Sequence, residues 1–268
     1  MNSAQILERR APAALATTAA ESVSERYLVI PNHQIIEGFE DNGFVLHSAS
    51  QQRARTEEGR QFGKHRLVFR QRDVQPQECV LGMIIPQYAL TNSHNGRSSL
   101  QLDLSAERQV CLNGLTVSEG GQAVRFPHRG NGHTLDDILR DVGLMVQDFP
   151  RVIGKMRLMR ERALTAGERK EFGRRALELR FEANEDGEYP VTADQVLRPR
   201  RYEDGRSDVW STFNVLQENL IKGGLSARTV TPRGVKRAST RKVTGLDADL
   251  KINRGLWALA EEFAGLQA

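Results

Sequence analysis

The chain has 268 residues, with 38 bases against 34 acids for a formal charge of +4, and 39% of its residues are hydrophobic. With 27% charged residues this balance excludes wholesale disorder, and no apolar run approaches the ~18 residues a membrane helix needs. Residues 1–22 read as a mobile N-terminal arm. Arg9 and Arg10 precede an Ala/Thr stretch without the Leu/Val-rich centre of a secretion signal, so a cytoplasmic location is expected. Cys79 and Cys111 lie in strand-like runs and read as buried thiols.

Residues 23–268 read as a single α+β domain, mainly strands over 23–130 and mainly helices over 131–268. The pattern predicts an antiparallel sheet with one solvated face, followed by helices packed on one face of it. Tyr27–Ile30 is a short strand candidate stopping at Pro31, and Gly43–Ser48 holds a second. His65–Arg70 alternates, with Leu67 and Phe69 on one side. Cys79–Ile85 is a continuous apolar run that predicts a central strand closed by Pro86. Ser98–Leu104 puts Leu100, Leu102 and Leu104 on one face. Asn113-Gly114 predicts a tight turn between Gln109–Leu112 and Leu115–Val117, and Ala123–Phe126 is the last strand.

From Leu135 the period becomes helical. Leu135, Ile138, Leu139 and Val142 form a stripe behind a Thr134 N-cap, and Val152, Ile153, Met156 and Met159 mark a second helix. Thr165-Ala-Gly-Glu168 and Thr192-Ala-Asp-Gln195 are capping boxes that start helices near 166–180 and 193–197. Ser207 is expected to cap a helix with Trp210, Phe213 and Leu220 inside, ended by Gly223-Gly224. A final helix over about 247–264 carries Leu250, Trp257, Ala260 and Phe263.

The charge is uneven. Residues 222–268 carry nine bases and four acids, and Arg228, Arg233, Lys236, Arg237, Arg241 and Lys242 occur with no acid between Ser226 and Leu246. The Gly, Ser, Thr and Pro232 among them predict a flexible basic loop over 226–244. Such a loop attracts a polyanion, because neutralising phosphates releases condensed counterions. Its plainer reading is a solubilising surface loop. A second basic run, Arg53, Arg55, Arg60, Lys64, Arg66, Arg70 and Arg72, is diluted by Glu57, Glu58 and Asp73 and reads equally as surface or contact.

Specific catalytic signatures are missing from the sequence. It holds no glycine-rich phosphate loop, no His-Glu-x-x-His helix and no nucleophile elbow, and its six histidines show no metal-ligand spacing. No cofactor and no metal are expected. Asp247 and Asp249 with Lys251 loosely resemble the carboxylate-x-Lys element of metal-dependent nucleases, but acids at a helix start answer the macrodipole. The Asn92–Ser99 segment is dense in donors and acceptors around a turn, and Pro127-His128-Arg129-Gly130 is expected at the same sheet edge. Lys222 pairs favourably with Glu218 at i, i+4 and can equally serve the helix end or a phosphate.

A succession of words runs through the chain: Ser24-Glu25-Arg26-Tyr27, Asn92–Ser99, Cys111-x-Asn113-Gly114-Leu115, Pro127-His128-x-Gly130 and Trp210-Ser211-Thr212. Gln217-Glu218-Asn219-Leu220-Ile221-Lys222-Gly223-Gly224-Leu225 and Asp247-x-Asp249-x-Lys251-x-Asn253-Arg254-x-Leu256-Trp257 complete it. The series closely resembles the domain-of-unknown-function 932 family, small proteins of prophages, phages and conjugative plasmids, from about residue 22 onward. The resemblance implies a setting, mobile DNA that enters cells as or through single strands, and no mechanism.

The function expected is a non-enzymatic DNA-binding protein of a mobile element, with an annealing or protection role that favours single strands. Lys222, Arg228, Arg233, Lys236, Arg237, Arg241, Lys242, Lys251 and Arg254 would track the phosphates, and Asn92, His94, Asn113 and His128 would add hydrogen bonds. Annealing would also require self-association, and the sheet-then-helix order is compatible with phage single-strand annealing proteins as a fold analogy. Trp210 and Trp257 read as core, so base stacking is a minor contribution and salt dependence should be steep. The alternatives are a protein-binding module that counters a host nuclease or restriction system through the polar sheet edge, and, last, a divalent-metal nuclease using Asp247, Asp249, Lys251 and His94.

Overall fold

Leu100, Leu102 and Leu104 all turn to one face of strand β4 (Leu100–Arg108) and are buried there, as their alternation requires. Around β4 runs an antiparallel sheet in the order β1 (Phe44–Gln51), β2 (His65–Gln71), β3 (Ile84–Asn92), β4. The far edge of β4 is shared: β5 (Asn113–Val117) pairs with Leu104–Arg108, and β6 (Val124–Phe126) with Leu100–Leu102. The computed structural model describes residues 2–73, 84–108, 113–117, 124–129, 134–231 and 234–266. They divide into two units, Met1–Pro150 and Arg151–Ala268, where the sequence reads as one continuous domain. Cys79, Cys111, most of the Cys79–Ile85 run and Gln109–Leu112 lie outside the described residues.

In the first unit the apolar sheet face meets helix α2 (Asn32–Asp41), which buries Ile35, Ile36 and Phe39. The Phe39 ring lies 4.1 Å from that of Phe69 and 5.5 Å from that of Phe44, and Phe44 meets Tyr88 edge-on at 5.3 Å. The opposite face is polar, as its alternation predicts, but it is solvated only in part: Ser48 and Ser50, opposite Val68 and Arg66, are exposed, whereas the inner strands are covered. Arg66, Gln87, Thr91, Asp103 and Ser105 are buried, and Arg70 and Gln87 spend their charge and donors on Glu107 at 2.8 and 3.2 Å. Pro86, expected to end a strand, lies within β3 opposite Ala106. The last β2–β3 pair is Phe69 with Tyr88, so the proline sits where β3 no longer has β2 beside it. Asn113-Gly114, expected as a turn, instead opens β5 opposite Arg108 and Glu107.

The expected arm is built into the fold. Asn2 and Gln5 form a capping box for α1 (Ser3–Arg10), whose Ile6 and Leu7 are buried, and a 3-10 turn over Pro12–Leu15 follows. Ala11, Ala13 and Ala14 are buried too, and the Ala13 N–H donates to Gln51 Oε1 at 2.8 Å. Alanine's small side chain lets this backbone lie close against β1, which composition alone disguises as a weak tail. Helix α3 (Glu57–Phe62), capped by Thr56, stands between β1 and β2.

Helix α4 (Leu135–Glu161) carries Pro150 inside it, where the sequence predicts two helices. The Thr134 cap forms as expected, its hydroxyl accepting from the Asp137 N–H. In the second unit both capping boxes form, at the starts of α5 (Ala166–Glu178) and α6 (Ala193–Val196). Asp208, one residue past the expected Ser207, caps α7 (Val209–Lys222): its Oδ1 accepts from the Ser211 N–H, while its Oδ2 accepts from Arg160 Nη1 at 2.8 Å. Every residue of α7 from Val209 to Ile221 is buried. Trp210 stacks with Phe213, and Phe213 meets Trp257 of α8 (Leu246–Phe263) edge-on at 6.0 Å, so both tryptophans are core.

The basic segment expected to be a loop is a hairpin. Strands β7 (Ser226–Thr231) and β8 (Gly234–Ser239) pair along their whole length, from Ser226 opposite Ser239 to Thr231 opposite Gly234. Thr229, Val230, Thr231 and Val235 are β-branched residue types, which favour strand.

Candidate functional site

Asn92, His94 and His128 come together with two residues that sequence reasoning did not select, Asn32 and His65. Asn92 ends β3 and points its amide inward: Nδ2 donates to Asn32 Oδ1 at 3.1 Å and to the Ile30 carbonyl at 3.3 Å. Its Oδ1 accepts from the Ser93 N–H at 2.8 Å, which fixes the orientation of the group. His128 Nε2 then lies 2.9 Å from that same Oδ1 and its Nδ1 2.9 Å from the Leu28 carbonyl, so both ring nitrogens face oxygen. Tyr27 stacks on the His128 ring and donates its hydroxyl to the Ser93 carbonyl. Asn32 Nδ2, with two hydrogens, has three neighbours: the Ala14 carbonyl at 3.0 Å, His65 Nε2 at 2.9 Å and His94 Nε2 at 3.0 Å. His94 Nδ1 is buried without a hydrogen-bond partner.

Burial decides the chemistry of this cluster. Asn32, His65, Asn92 and His94 expose none of their surface and His128 only 6%. Burial pushes the His65 pKa down to about 4 and that of His94 to about 3, and lowers His128 against the upward pull of the Leu28 carbonyl. His65 and His94 are therefore neutral at physiological pH, and His128 turns both of its ring nitrogens to oxygens inside the fold. The hydrogen bonds expected of Asn92, His94 and His128 toward a ligand are therefore largely made internally. Asn113 stands at the start of β5, opposite Arg108.

The phosphate-tracking candidates belong to the second unit. Arg228 and Arg237 sit directly opposite each other across the β7–β8 ladder, and both are exposed. Lys236 is opposite Thr229; Arg241 and Lys242 follow β8 and are exposed; Arg233 lies outside the described residues. The root of the hairpin adds two bases that sequence reasoning missed. A cleft of about 460 Å³ is lined there by Arg198, Arg200, Asn219, Gly224 and Ser226. Arg198 is exposed, whereas Arg200 donates to Asn219 Oδ1 and to the Gly223 carbonyl. On α8, Lys251 is exposed and Arg254 half-buried.

The most specific word in the sequence, Gln217–Leu225, proves to be scaffold. Gln217 Nε2 donates to Asn253 Oδ1 at 2.7 Å, and Asn219 Nδ2 donates to the carbonyls of Val196 and Arg198. Glu218 accepts from Arg201 and Lys222; burial would raise its pKa, but these two cations outweigh that and hold it low. Lys222 pairs with Glu218 at 2.7 Å, as its i, i+4 spacing predicts. Gly223 has φ +67°, and a Cβ there would lie 2.6 Å from the carbonyl oxygens of Thr240 and Arg241. Asp247 and Asp249 occupy the first turn of α8, and Asp249 accepts from Asn253, which is helix-start chemistry. Among the described residues no group of three or more His, Cys, Asp or Glu is placed to hold a metal ion, and no helix is long and apolar enough to cross a membrane.

An α+β chain with a buried Asn/His cluster in one unit and a basic ribbon in the other is the class these observations define. The family described as "Domain of unknown function (DUF932)" matches residues 19–257, and the chain belongs to it. Two proteins of Escherichia coli (strain K12), UPF0380 protein YfjQ and UPF0380 protein YafZ, are each 37% identical over 255 residues, 95% of this chain and 89% of theirs. No solved structure matches the chain.

Proposed function

We propose that this chain is a non-enzymatic nucleic-acid-binding protein of a mobile element, which engages the DNA backbone, single strands in preference, through the β7–β8 ribbon. The observation that carries the reading is the Arg228–Arg237 pair. Like charges directly opposite on a ladder destabilise it, so folding does not ask for them there. Both are exposed, in a stretch with no acid from Ser226 to Leu246. Arg198, Arg241 and Lys242 extend the same charge within the unit. An extended row of guanidinium groups neutralises successive phosphates and releases their counterions. Both tryptophans are core and offer no face for base stacking.

The test is titration of labelled single-stranded and duplex oligonucleotides at two salt concentrations, on the wild type and on R228Q/R237Q/R241Q/K242Q. Binding should weaken steeply with salt and be lost in the variant whatever the base sequence. A two-stranded ribbon also fits a major groove, so the duplex arm decides the strand preference. No binding in dilute buffer, or binding indifferent to salt, overturns the proposal.

A further inference from the structure

The excursion between β1 and β2, residues 52–64, carries Arg53, Arg55, Arg60 and Lys64 on a short span beside the turn after β3. Its ends are fastened by the backbone: Gln52 N–H donates to the Lys64 carbonyl at 2.8 Å, and His94 N–H, from the turn after β3, donates to the Phe62 carbonyl at 2.8 Å. Gly63 closes so tightly over α3 that a Cβ there would lie 2.1 Å from the Gly59 carbonyl oxygen. The excursion and the Asn95–Arg97 turn are thus held against each other. Between them lies a cleft of about 270 Å³, lined among others by Arg53, Arg55, Lys64, Arg97, Asn95 and Glu58. Arg60 shows what an occupied arginine looks like here, bound to Glu57 and to the Arg55 carbonyl. Arg53, Arg55 and Arg97 are exposed, and none of their guanidinium groups makes an ion pair or hydrogen bond among the described residues.

We infer that this cleft binds a terminal phosphate, the dianionic monoester at a strand end or on a free nucleotide. Three unspent guanidinium groups, those of Arg53, Arg55 and Arg97, line the cleft with one acid, Glu58. That surplus exceeds what a singly charged diester needs and suits a monoester of charge about −1.5 to −2. Guanidinium forks match phosphate oxygens in pairs. The volume falls just under the ~300–1,000 Å³ of sites that enclose a whole drug-sized ligand, so it fits a phosphate with its sugar. The inference does not rest on the ribbon, whose residues belong to the other unit.

The experiment compares the full chain, R53Q/R55Q/R97Q and R228Q/R237Q for binding of 5′-phosphorylated (dT)4, 5′-hydroxyl (dT)4 and thymidine 5′-monophosphate. The wild type should prefer the phosphorylated tetranucleotide by about tenfold or more, as a lost charged hydrogen bond predicts. R53Q/R55Q/R97Q should lose that preference while its thermal melt is unchanged, and R228Q/R237Q should keep it. Thymidine monophosphate binding as tightly as the tetranucleotide assigns the site to free nucleotides; weaker binding assigns it to strand ends. Equal affinity for the two tetranucleotides, a preference that survives in R53Q/R55Q/R97Q, or no binding of any phosphorylated probe overturns the inference. A failed ribbon would instead show as unchanged overall oligonucleotide affinity in R228Q/R237Q.

Discussion

The Asn32–Asn92 cluster and the β7–β8 ribbon handle polar groups in opposite ways. In the cluster, five side chains from positions as distant as Asn32 and His128 bury their polar atoms and bond mainly to each other and to backbone carbonyls. In the ribbon, arginines are set face to face and left to the solvent. Buried, hydrogen-bonded polarity specifies a fold and is costly to disturb; exposed like charge contributes nothing to a fold and remains available to an anion. The words most conspicuous in the sequence belong to the first kind, and so does Gln217–Leu225.

That contrast breaks if the cluster tolerates truncation. Asn92→Ala strands partners at Asn32, Ser93, Ile30 and His128, and should cost about 3 kcal/mol, lowering Tm by roughly 6–12 °C in a thermal melt. Gly223→Ala meets both a left-handed φ and the carbonyls of Thr240 and Arg241, and should cost about 1–3 kcal/mol by denaturant titration. Acid should act on the cluster next. The unfolded chain protonates His65 near pH 6.5 and the folded one only near 4, so stability is complete above 6.5 and falls as pH drops through that window. About 1–2 kcal/mol should be lost between pH 7 and pH 5, and His65→Asn should flatten the profile. The smallest effect on folding belongs to the ribbon: R228Q/R237Q should leave Tm unchanged or slightly raised while overall oligonucleotide affinity falls. A large loss of stability there would make the arginines structural and erase the distinction.

Local chemistry was legible in the sequence wherever neighbours decide it. The leucine alternation of β4, the boxes at Thr165 and Thr192 and the buried faces of Trp210 and Trp257 all follow from spacing. Ambiguous residues misled it. Pro86 reads as a stop but sits in β3 beyond the reach of β2, and the threonines around Arg228 read as turn formers but serve as strand residues. Helix α2 was missed because Gly38 interrupts a stripe of only Ile35, Ile36 and Phe39. Of the Asn/His cluster, Asn92, His94 and His128 were legible as one sheet edge, but Asn32 and His65 were not, since the bonds join residues 33, 36, 60 and 62 positions apart and no local pattern records them.

The ribbon has only two strands, and on the β7 side the Arg228 N–H is already held by the Pro190 carbonyl at 2.7 Å. The outer margin of β8 has no ladder partner among the described residues. Unguarded margins of this sort recruit strands from other molecules, and positive side chains are a common deterrent. Arg228 and Arg237 set positive charge on the ribbon beside that margin. On the proposed reading, a polyanion that masked these charges would remove the deterrent and leave the β8 margin open to a further strand.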